Sequence, residues 1–360
     1  MSGLDFYLTR LENPNFSCTF VFYLIASVNM KYMELLQLNR IRLVTVLVSC
    51  VVIICTSCDN NEPTNKGGII GIEGITFENY PKVDGSTSTS VLNTMVACKL
   101  LGVNYIWMEP SIVTEWRLLP KYEGLSEQKR NLFGQFLKSS QTHGAFMNLI
   151  DGEVDIILTH RTISPDEKAH ADSIGVTLIE TPIALDAFAF VVNKNNPVKS
   201  LTVNQIQKIY TEEITNWSQV GGKNANIKVF TRPRNSGSEE VFRTLVMGDI
   251  EPVDFPEAYI GGMIWVFGEV EYNEDGICYT FNTYKDLQAR VPDSEVPKIA
   301  INGIFPDKTT VKNETYPLIS KVHVAICSDL GHNTMAYKLY EWLQSEDAKS
   351  TIVECGLVPK

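Results

Sequence analysis

Arg232 and Arg234 lie directly before a helix start, in the segment "TRPRNSGSEEVF" (231–242). Ser236, followed three residues later by Glu239, is the pattern of a capping box and predicts that the helix begins at Ser236. A helix N-terminus already carries partial positive charge, so two arginines beside it are unfavourable unless an anion binds between them. The segment therefore predicts either an oxyanion site or an ordinary capped helix with two surface arginines.

Two further helix starts share this chemistry. The segments "DGSTSTSVLNTMV" (84–96) and "SSQTHGAFMNLI" (139–150) each place hydroxyl side chains and a glycine before an apolar helical pattern. Hydroxyls and backbone amides can bind a small oxyanion without adding positive charge. Three such starts predict donors that converge on one anion. Thr202 with Gln205 also forms a capping box, but no glycine accompanies it, and we interpret it as structural.

An apolar run at 43–57 follows Arg40 and Arg42 and ends before Cys58. A basic start, a short apolar run and small residues before a cut site are typical of a secretory signal. The run of 15 residues is shorter than the roughly 20 that a membrane-spanning helix needs. The cut site resembles a bacterial lipobox, so we expect export and lipid attachment at Cys58, on a membrane that the sequence does not identify.

The exact processing of this leader has alternatives. Cys50 fits the lipobox consensus better than Cys58, but further apolar residues follow it. The signal would naturally begin at Met30 or Met33, so residues 1–29 of the leader 1–58 are interpreted as a misassigned start or an unusual extension. We expect 59–78, which is polar and contains glycine, to be a tether that separates the folded part from the membrane.

The charge of the chain excludes one class of partner. The leader holds four basic and three acidic residues, so the remainder holds 27 basic and 39 acidic residues, a net charge of −12. Binding to nucleic acid requires a basic face, so the negative charge excludes nucleic acid as a partner.

Cysteines 98, 278, 327 and 355 are widely spaced and lack the pattern of a metal site. We therefore expect buried free thiols, with one disulfide as the alternative, and we expect neither a metal nor a cofactor.

Strand-like and helix-like runs alternate from residue 79 onward, which predicts α/β lobes with helices packed on sheets. The predicted strands are 155–160, 187–193, 227–232, 298–302 and 321–326. The predicted helices are 88–101, 144–151, 203–210, 238–247 and 334–345.

Several segments in order along the chain resemble the phosphate-binding solute receptors of bacterial ABC transporters. They are "DGSTSTS" (84–90), "LIDGEVDIILTHRTIS" (149–164), "ITNWSQVGG" (214–222), "IKVFTRPRNSGSEEVF" (227–242), "AINGIFPDKTTVKNETYPL" (300–318) and "WLQSEDAKSTIVECGLVP" (342–359). The resemblance implies a two-lobed α/β fold, the type 2 periplasmic-binding-protein fold, with ligand in the cleft. We expect lobe 1 to comprise 79–186 and 313–360, and lobe 2 to comprise 187–312.

The resemblance also implies which residues bind the anion. They are Arg232 as the gripping arginine, Ser236, Gly237 and Ser238 in the turn after it, Ser86, Thr87 and Ser88 in the first-lobe turn, and Thr142 and His143 in a second first-lobe region. Arg161 stands where some members carry an aspartate that accepts the proton of hydrogen phosphate, and it makes the cleft more positive. We expect Asp84 to replace that acceptor, since a capping box would turn Glu239 away.

The function implied is an exported lipoprotein that captures inorganic phosphate for an ABC-transporter permease, a binding protein rather than an enzyme. One alternative is a receptor for another oxyanion, such as sulfate or molybdate. A phosphate-ester hydrolase is the alternative from another class, with His143 or His160 facing the cleft. Neither a G-x-S-x-G elbow nor a P-loop motif occurs in the sequence, and both absences weigh against the hydrolase.

Overall fold

The computed structural model describes residues 71–109 and 115–360. The leader 1–58 with Cys58, and the tether up to residue 70, lie outside the described residues. The described residues belong to one compact unit of the chain. Within the part that the structure describes, no helix has the length and apolar character needed to cross a membrane.

The strands form mainly on apolar and β-branched runs, as such side chains pack well on a pleated surface. They are β1 (Val83–Gly85), β2 (Tyr105–Met108), β3 (Arg117–Pro120), β4 (Ile156–Thr159), β5 (Leu178–Val192), β6 (Ser200–Leu201), β7 (Lys228–Val229), β8 (Gly276–Phe281), β9 (Ala300–Ile301), β10 (Ile319–Cys327) and β11 (Val358–Pro359). The five predicted strands are all present, although 227–232 and 298–302 shorten to two residues each.

One seven-stranded sheet organises the fold, with strand order β1-β4-β10-β5-β8-β7 and with β11 beside β5. β1 is parallel to β4 and β7 is parallel to β8, whereas β10 is antiparallel to both β4 and β5. Residues 178–187 of β5 pair with β10, and residues 188–192 pair with β8. The strand β5 is therefore shared by the two halves of the sheet.

The α-helices differ in how they begin, since Thr202, Ser236 and Thr334 each cap a helix through a side-chain oxygen whereas the helix that follows Ile264 has no such cap. They are α1 (Ser90–Leu100), α2 (Glu127–Phe136), α3 (Gln141–Ile150), α4 (Pro165–Ser173), α5 (Val203–Tyr210), α6 (Gly237–Val241), α7 (Trp265–Tyr272), α8 (Lys308–Lys312), α9 (Met335–Trp342) and α10 (Glu346–Glu354). The capping box of Thr202 and Gln205 forms as predicted. The predicted helix 238–247 is α only as far as Val241 and continues as the π-helix Phe242–Met247.

Two large hydrophobic clusters lie on either side of the middle of β5. One surrounds the second half of β5 and β8, where the rings of Phe242 and Tyr279 stack with centroids 4.6 Å apart. The other surrounds α1, β4 and β10. The four cysteines in the described part of the chain, at 98, 278, 327 and 355, are free thiols, which confirms the prediction, although Cys327 is only half-buried. Burial raises the pKa of Cys278 to about 12, which makes this thiol unreactive at neutral pH.

Candidate functional site

A cavity of about 230 Å³ lies where the three predicted donor turns meet. Its wall contains Ser86, Thr87 and Ser88 from the turn after β1, Thr142 from the start of α3, and Arg232, Ser236, Gly237 and Ser238 from the turn and start of α6. Eight of the ten residues predicted to bind the anion thus line one cavity. A water molecule occupies roughly 30 Å³ in the liquid, so the volume of the cavity is larger than the volume of a few water molecules.

The first turn is held against β4 by its own hydroxyls. Thr89 Oγ1 donates to the carbonyl oxygen of Leu158 at 2.7 Å, and Ser86 Oγ lies 3.1 Å from Thr89 Oγ1. Gly85 is required here, because a Cβ at this position would stand 2.6 Å from the Leu158 carbonyl oxygen. The close approach fixes Ser86 and Ser88, which are both buried, in the cavity wall.

The third turn presents a guanidinium and a hydroxyl from the other side of the cavity. Arg232 is buried, and its Nη1 donates to the carbonyl oxygen of Ile260 at 2.5 Å. Burial lowers the pKa of Arg232, although nearby acidic groups act in the opposite direction, and an arginine stays charged at neutral pH. Arg232 Nε and Ser238 Oγ are both buried and have no hydrogen-bond partner among the described residues. Two residues of the cavity wall therefore each carry a buried donor that lacks an acceptor in this part of the chain.

Only half of the predicted capping box forms at α6. Ser236 Oγ accepts from the backbone N–H of Glu239 at 3.3 Å, so the helix starts as expected. The Glu239 side chain does not return to Ser236. It accepts from Arg232 N at 3.3 Å and from Arg243 Nε at 2.7 Å, and it also bonds the Tyr279 hydroxyl. Glu239 thereby orients the backbone that carries Arg232.

Arg161 and His143 do not line the cavity, in contrast to the expectation from the resemblance. Both Arg161 Nη atoms donate to the Glu167 carboxylate at 2.7 Å, and Arg161 Nη2 also reaches the carbonyl oxygen of Asn235 at 3.3 Å. His143 Nδ1 lies 2.9 Å from Glu167 Oε1. A buried carboxylate on α4 thus engages both side chains, and the sequence pattern of the turns gives no indication of that partner.

Asp84 is also absent from the cavity wall, so its predicted role as a proton acceptor lacks the required position. Its Oδ1 accepts from the backbone N–H of Gly85 at 2.7 Å and of Ser140 at 2.9 Å, and its Oδ2 accepts from Asn148 Nδ2 at 2.7 Å. The carboxylate is fully buried. Asp84 therefore joins β1 to the start of α3 and positions two donor turns.

Several lining residues were missed in the sequence. They are Glu115, Arg117, Gln141, Gly261, Gly262, Met263, Ile264, Trp265 and Phe281. Glu115 Oε2 accepts from the Tyr284 hydroxyl at 2.5 Å, which brings a carboxylate to the cavity. Apart from Gln141, which belongs to a predicted donor turn, none of these residues stands in a hydroxyl-rich helix cap. No local signal could have identified them.

The cavity lies in a chain that matches a known family. A profile of the PBP superfamily domain matches residues 122–347, more than half of the chain. The chain is 27% identical over 257 residues to Protein SphX of Synechococcus elongatus. This alignment covers 67% of this chain and 74% of SphX. It is 28% identical over 192 residues to the phosphate-binding protein PstS of Staphylococcus saprophyticus. That alignment covers 52% of this chain and 59% of PstS. The alignment with PstS thus spans less than two thirds of that protein.

A solved structure agrees with this match. The fold is similar to that of an ABC-type phosphate transport receptor from Vibrio cholerae, with a TM-score of 0.53 and 24% identity, covering 79% of this chain and 99% of that chain. At this identity the likeness concerns the fold alone. The chain belongs to the PBP superfamily and has its α/β type 2 fold, as the resemblance in the sequence predicted.

Proposed function

We propose that this protein captures inorganic phosphate in the cavity and delivers it to an ABC-transporter permease. The observation that carries the proposal is a pair of buried donors, Arg232 Nε and Ser238 Oγ, that have no partner in the described part of the chain and belong to a wall rich in hydroxyls. Buried polar atoms in proteins are nearly always hydrogen-bonded, so a bound oxyanion would supply the missing acceptors. The name of PstS, a phosphate-binding protein, supports the choice of phosphate.

The proposal includes two lobes that hold the anion between them. Lobe 1 comprises 79–186 and 313–360 and contributes Ser88 among its donors, whereas lobe 2 comprises 187–312 and contributes Arg232. An anion that contacts both lobes binds the closed state better than an open one, so it shifts the population toward closure.

Isothermal titration calorimetry with phosphate, sulfate, molybdate and arsenate tests the ligand. We expect phosphate to bind more tightly than sulfate or molybdate, at pH 6 and at pH 8. Equal binding of sulfate and phosphate at both pH values would contradict the assignment and leave a general oxyanion receptor.

We further propose that the protein is exported and lipid-anchored through Cys58. The support is the apolar run 43–57 that ends before this cysteine. Replacing Cys58 by alanine should abolish metabolic labelling with a radioactive fatty acid in the native bacterial host, whereas Cys50→Ala, the matched control in the same leader, should keep it. Labelling that survives Cys58→Ala and disappears in Cys50→Ala would place the anchor at Cys50.

A further inference from the structure

A buried chain of three polar side chains stands behind one point of the cavity wall. Ser88 Oγ lies 2.8 Å from His160 Nδ1, and His160 Nε2 lies 3.4 Å from Asp186 Oδ2. All three residues are buried, and the His160 ring stacks on Phe281 with centroids 4.1 Å apart. Of the three, only Ser88 lines the cavity. His160 therefore touches the cavity wall through Phe281 and through Ser88, and of these two only Ser88 can form a hydrogen bond with a ligand.

His160 Nε2 has no hydrogen-bond partner among the described residues, and it faces Asp186 Oδ2 at 3.4 Å as a nearby charge. The Asp186 carboxylate accepts from the backbone N–H of Ala187 at 2.8 Å and of Thr283 at 3.2 Å. A carboxylate presents only acceptor atoms, so it favours the His160 tautomer that carries its proton on Nε2. In that tautomer Nδ1 is an acceptor, and the Ser88 hydroxyl donates its proton to it.

Serine has one hydroxyl proton, and with His160 in this tautomer that proton is directed to Nδ1 rather than into the cavity. Toward a ligand, Ser88 Oγ can then only accept a hydrogen bond. Ser86 Oγ lies 3.2 Å from Ser88 Oγ. Even if Ser86 donates to it, Ser88 keeps one lone pair free, because a hydroxyl oxygen has two.

We infer that Ser88 is a fixed acceptor in the cavity, positioned by His160 and Asp186, and that it makes the site select oxyanions that carry a proton. The inference rests on the proposed function and identifies the group that performs the role expected of Asp84. Hydrogen phosphate and hydrogen arsenate can donate a hydrogen bond to Ser88 Oγ. Sulfate has no proton, so one of its oxygen lone pairs would face a lone pair of Ser88 Oγ. An unmatched polar contact of this kind corresponds to roughly 10- to 100-fold in affinity.

Glu115 is the competing acceptor in the cavity wall. Its Oε2 is engaged by Tyr284, but its side chain is partly exposed and also carries negative charge. A carboxylate could reject a proton-free anion as well. The experiment must therefore compare changes at His160 with a change at Glu115.

Monofluorophosphate tests the role of the ligand's proton without changing its charge or shape. At pH 8 it is a dianion like hydrogen phosphate, but a fluorine replaces the hydroxyl, so it has no proton to donate. Calorimetry at pH 8 should show that the unmutated protein binds phosphate roughly 10- to 100-fold more tightly than monofluorophosphate. In His160→Leu, the Ser88 proton is free to turn toward the ligand, and the preference should fall to about threefold or less. His160→Asn retains an oxygen acceptor near the Nδ1 position and should restore most of the preference.

The ratio of the two affinities is the readout because partial unfolding reduces the apparent binding of both anions together. Ser88→Ala, which changes no partner of Asp186, provides a second variant and should also lose the preference. If the preference survives His160→Leu and Ser88→Ala but disappears in Glu115→Gln, the inference is overturned in favour of Glu115. A phosphoryl adduct on Ser88, formed with release of fluoride, would also overturn it, since Ser88 would then be a nucleophile.

The outcome for phosphate itself separates this inference from the proposed function. If the unmutated protein does not bind phosphate, the proposed function fails and the inference fails with it. If it binds phosphate but binds monofluorophosphate equally well, only the inference fails.

Discussion

Replacing Arg232 by alanine should weaken phosphate binding by tens- to thousands-fold. The guanidinium is buried, one of its nitrogens is fixed on the Ile260 carbonyl oxygen, and its Nε has no acceptor among the residues that the structure describes. A charge-assisted hydrogen bond to an anion is among the strongest available to a protein. Removing one partner of such a pair typically lowers the binding free energy by about 2–5 kcal/mol. Calorimetric titration of phosphate into the variant measures the loss.

Arg234→Ala is the matched control, since it removes the same side chain two residues along the same turn. Arg234 is exposed and pairs with Glu251 at 2.8 Å, away from the cavity wall. Its loss should change phosphate affinity by less than about threefold, since pairs between exposed charges contribute about 0–1 kcal/mol. If Arg234→Ala lost more affinity than Arg232→Ala, the gripping role would have been assigned to the wrong arginine.

Replacing Glu167 by alanine should lower the free energy of unfolding by about 3–5 kcal/mol, because it leaves the buried guanidinium of Arg161 without its carboxylate. Glu167 is fully buried and accepts from Arg161 twice, from Ser164 N at 2.9 Å and from His143. Urea unfolding at pH 7 measures the loss. The control is Asp172→Ala on the same helix, which removes an exposed ion pair with Lys168 and should cost about 0.3–0.5 kcal/mol. A loss below 1 kcal/mol for Glu167→Ala would contradict the prediction.

The destabilisation caused by Glu167→Ala should become smaller in acid. Burial alone would raise the pKa of Glu167, but hydrogen bonds and charge from Arg161 outweigh it, and the pKa lies below its usual value. A carboxyl with a depressed pKa stabilises the fold fully above its unfolded value of about 4.3, and this contribution is lost as pH falls through the lower, folded value. The difference between the unmutated protein and Glu167→Ala should therefore shrink below about pH 4.

The turns that the sequence singles out could be located because hydroxyl residues and glycines before a helix are a local pattern. Ser86, Thr142 and Ser236 were found from hydroxyls and glycines within a few residues, and all three line the cavity. Arg161 and Asp84 were misplaced because their partners come from elsewhere in the chain: Glu167 on α4 for the first, and Ser140 and Asn148 for the second. The type of a side chain can be read locally, whereas the direction in which it points depends on tertiary packing.

The same limit applies to the strands. The apolar half of β5, 187–193, was predicted, but its first half was not, because Glu180, Thr181, Pro182 and Asp186 interrupt the apolar pattern there. Antiparallel pairing with β10 keeps those residues in the strand, and this pairing joins segments more than 130 residues apart. Glu115 and Trp265 were missed for a related reason, since each reaches the cavity from a segment without a binding motif.

The position of β10 has a consequence for the order in which the chain can fold. β10 lies between β4 and β5, and β11 adds to β5 from near the C-terminus. During synthesis, β4 and β5 are made long before residues 319–327, so each must wait with an unpaired edge that invites association with other chains. Contacts between segments so far apart are also slow to form. The central sheet is therefore completed only when nearly the whole polypeptide is available, and a nascent chain that stops before β10 cannot form the core in which Asp186, His160 and Ser88 meet.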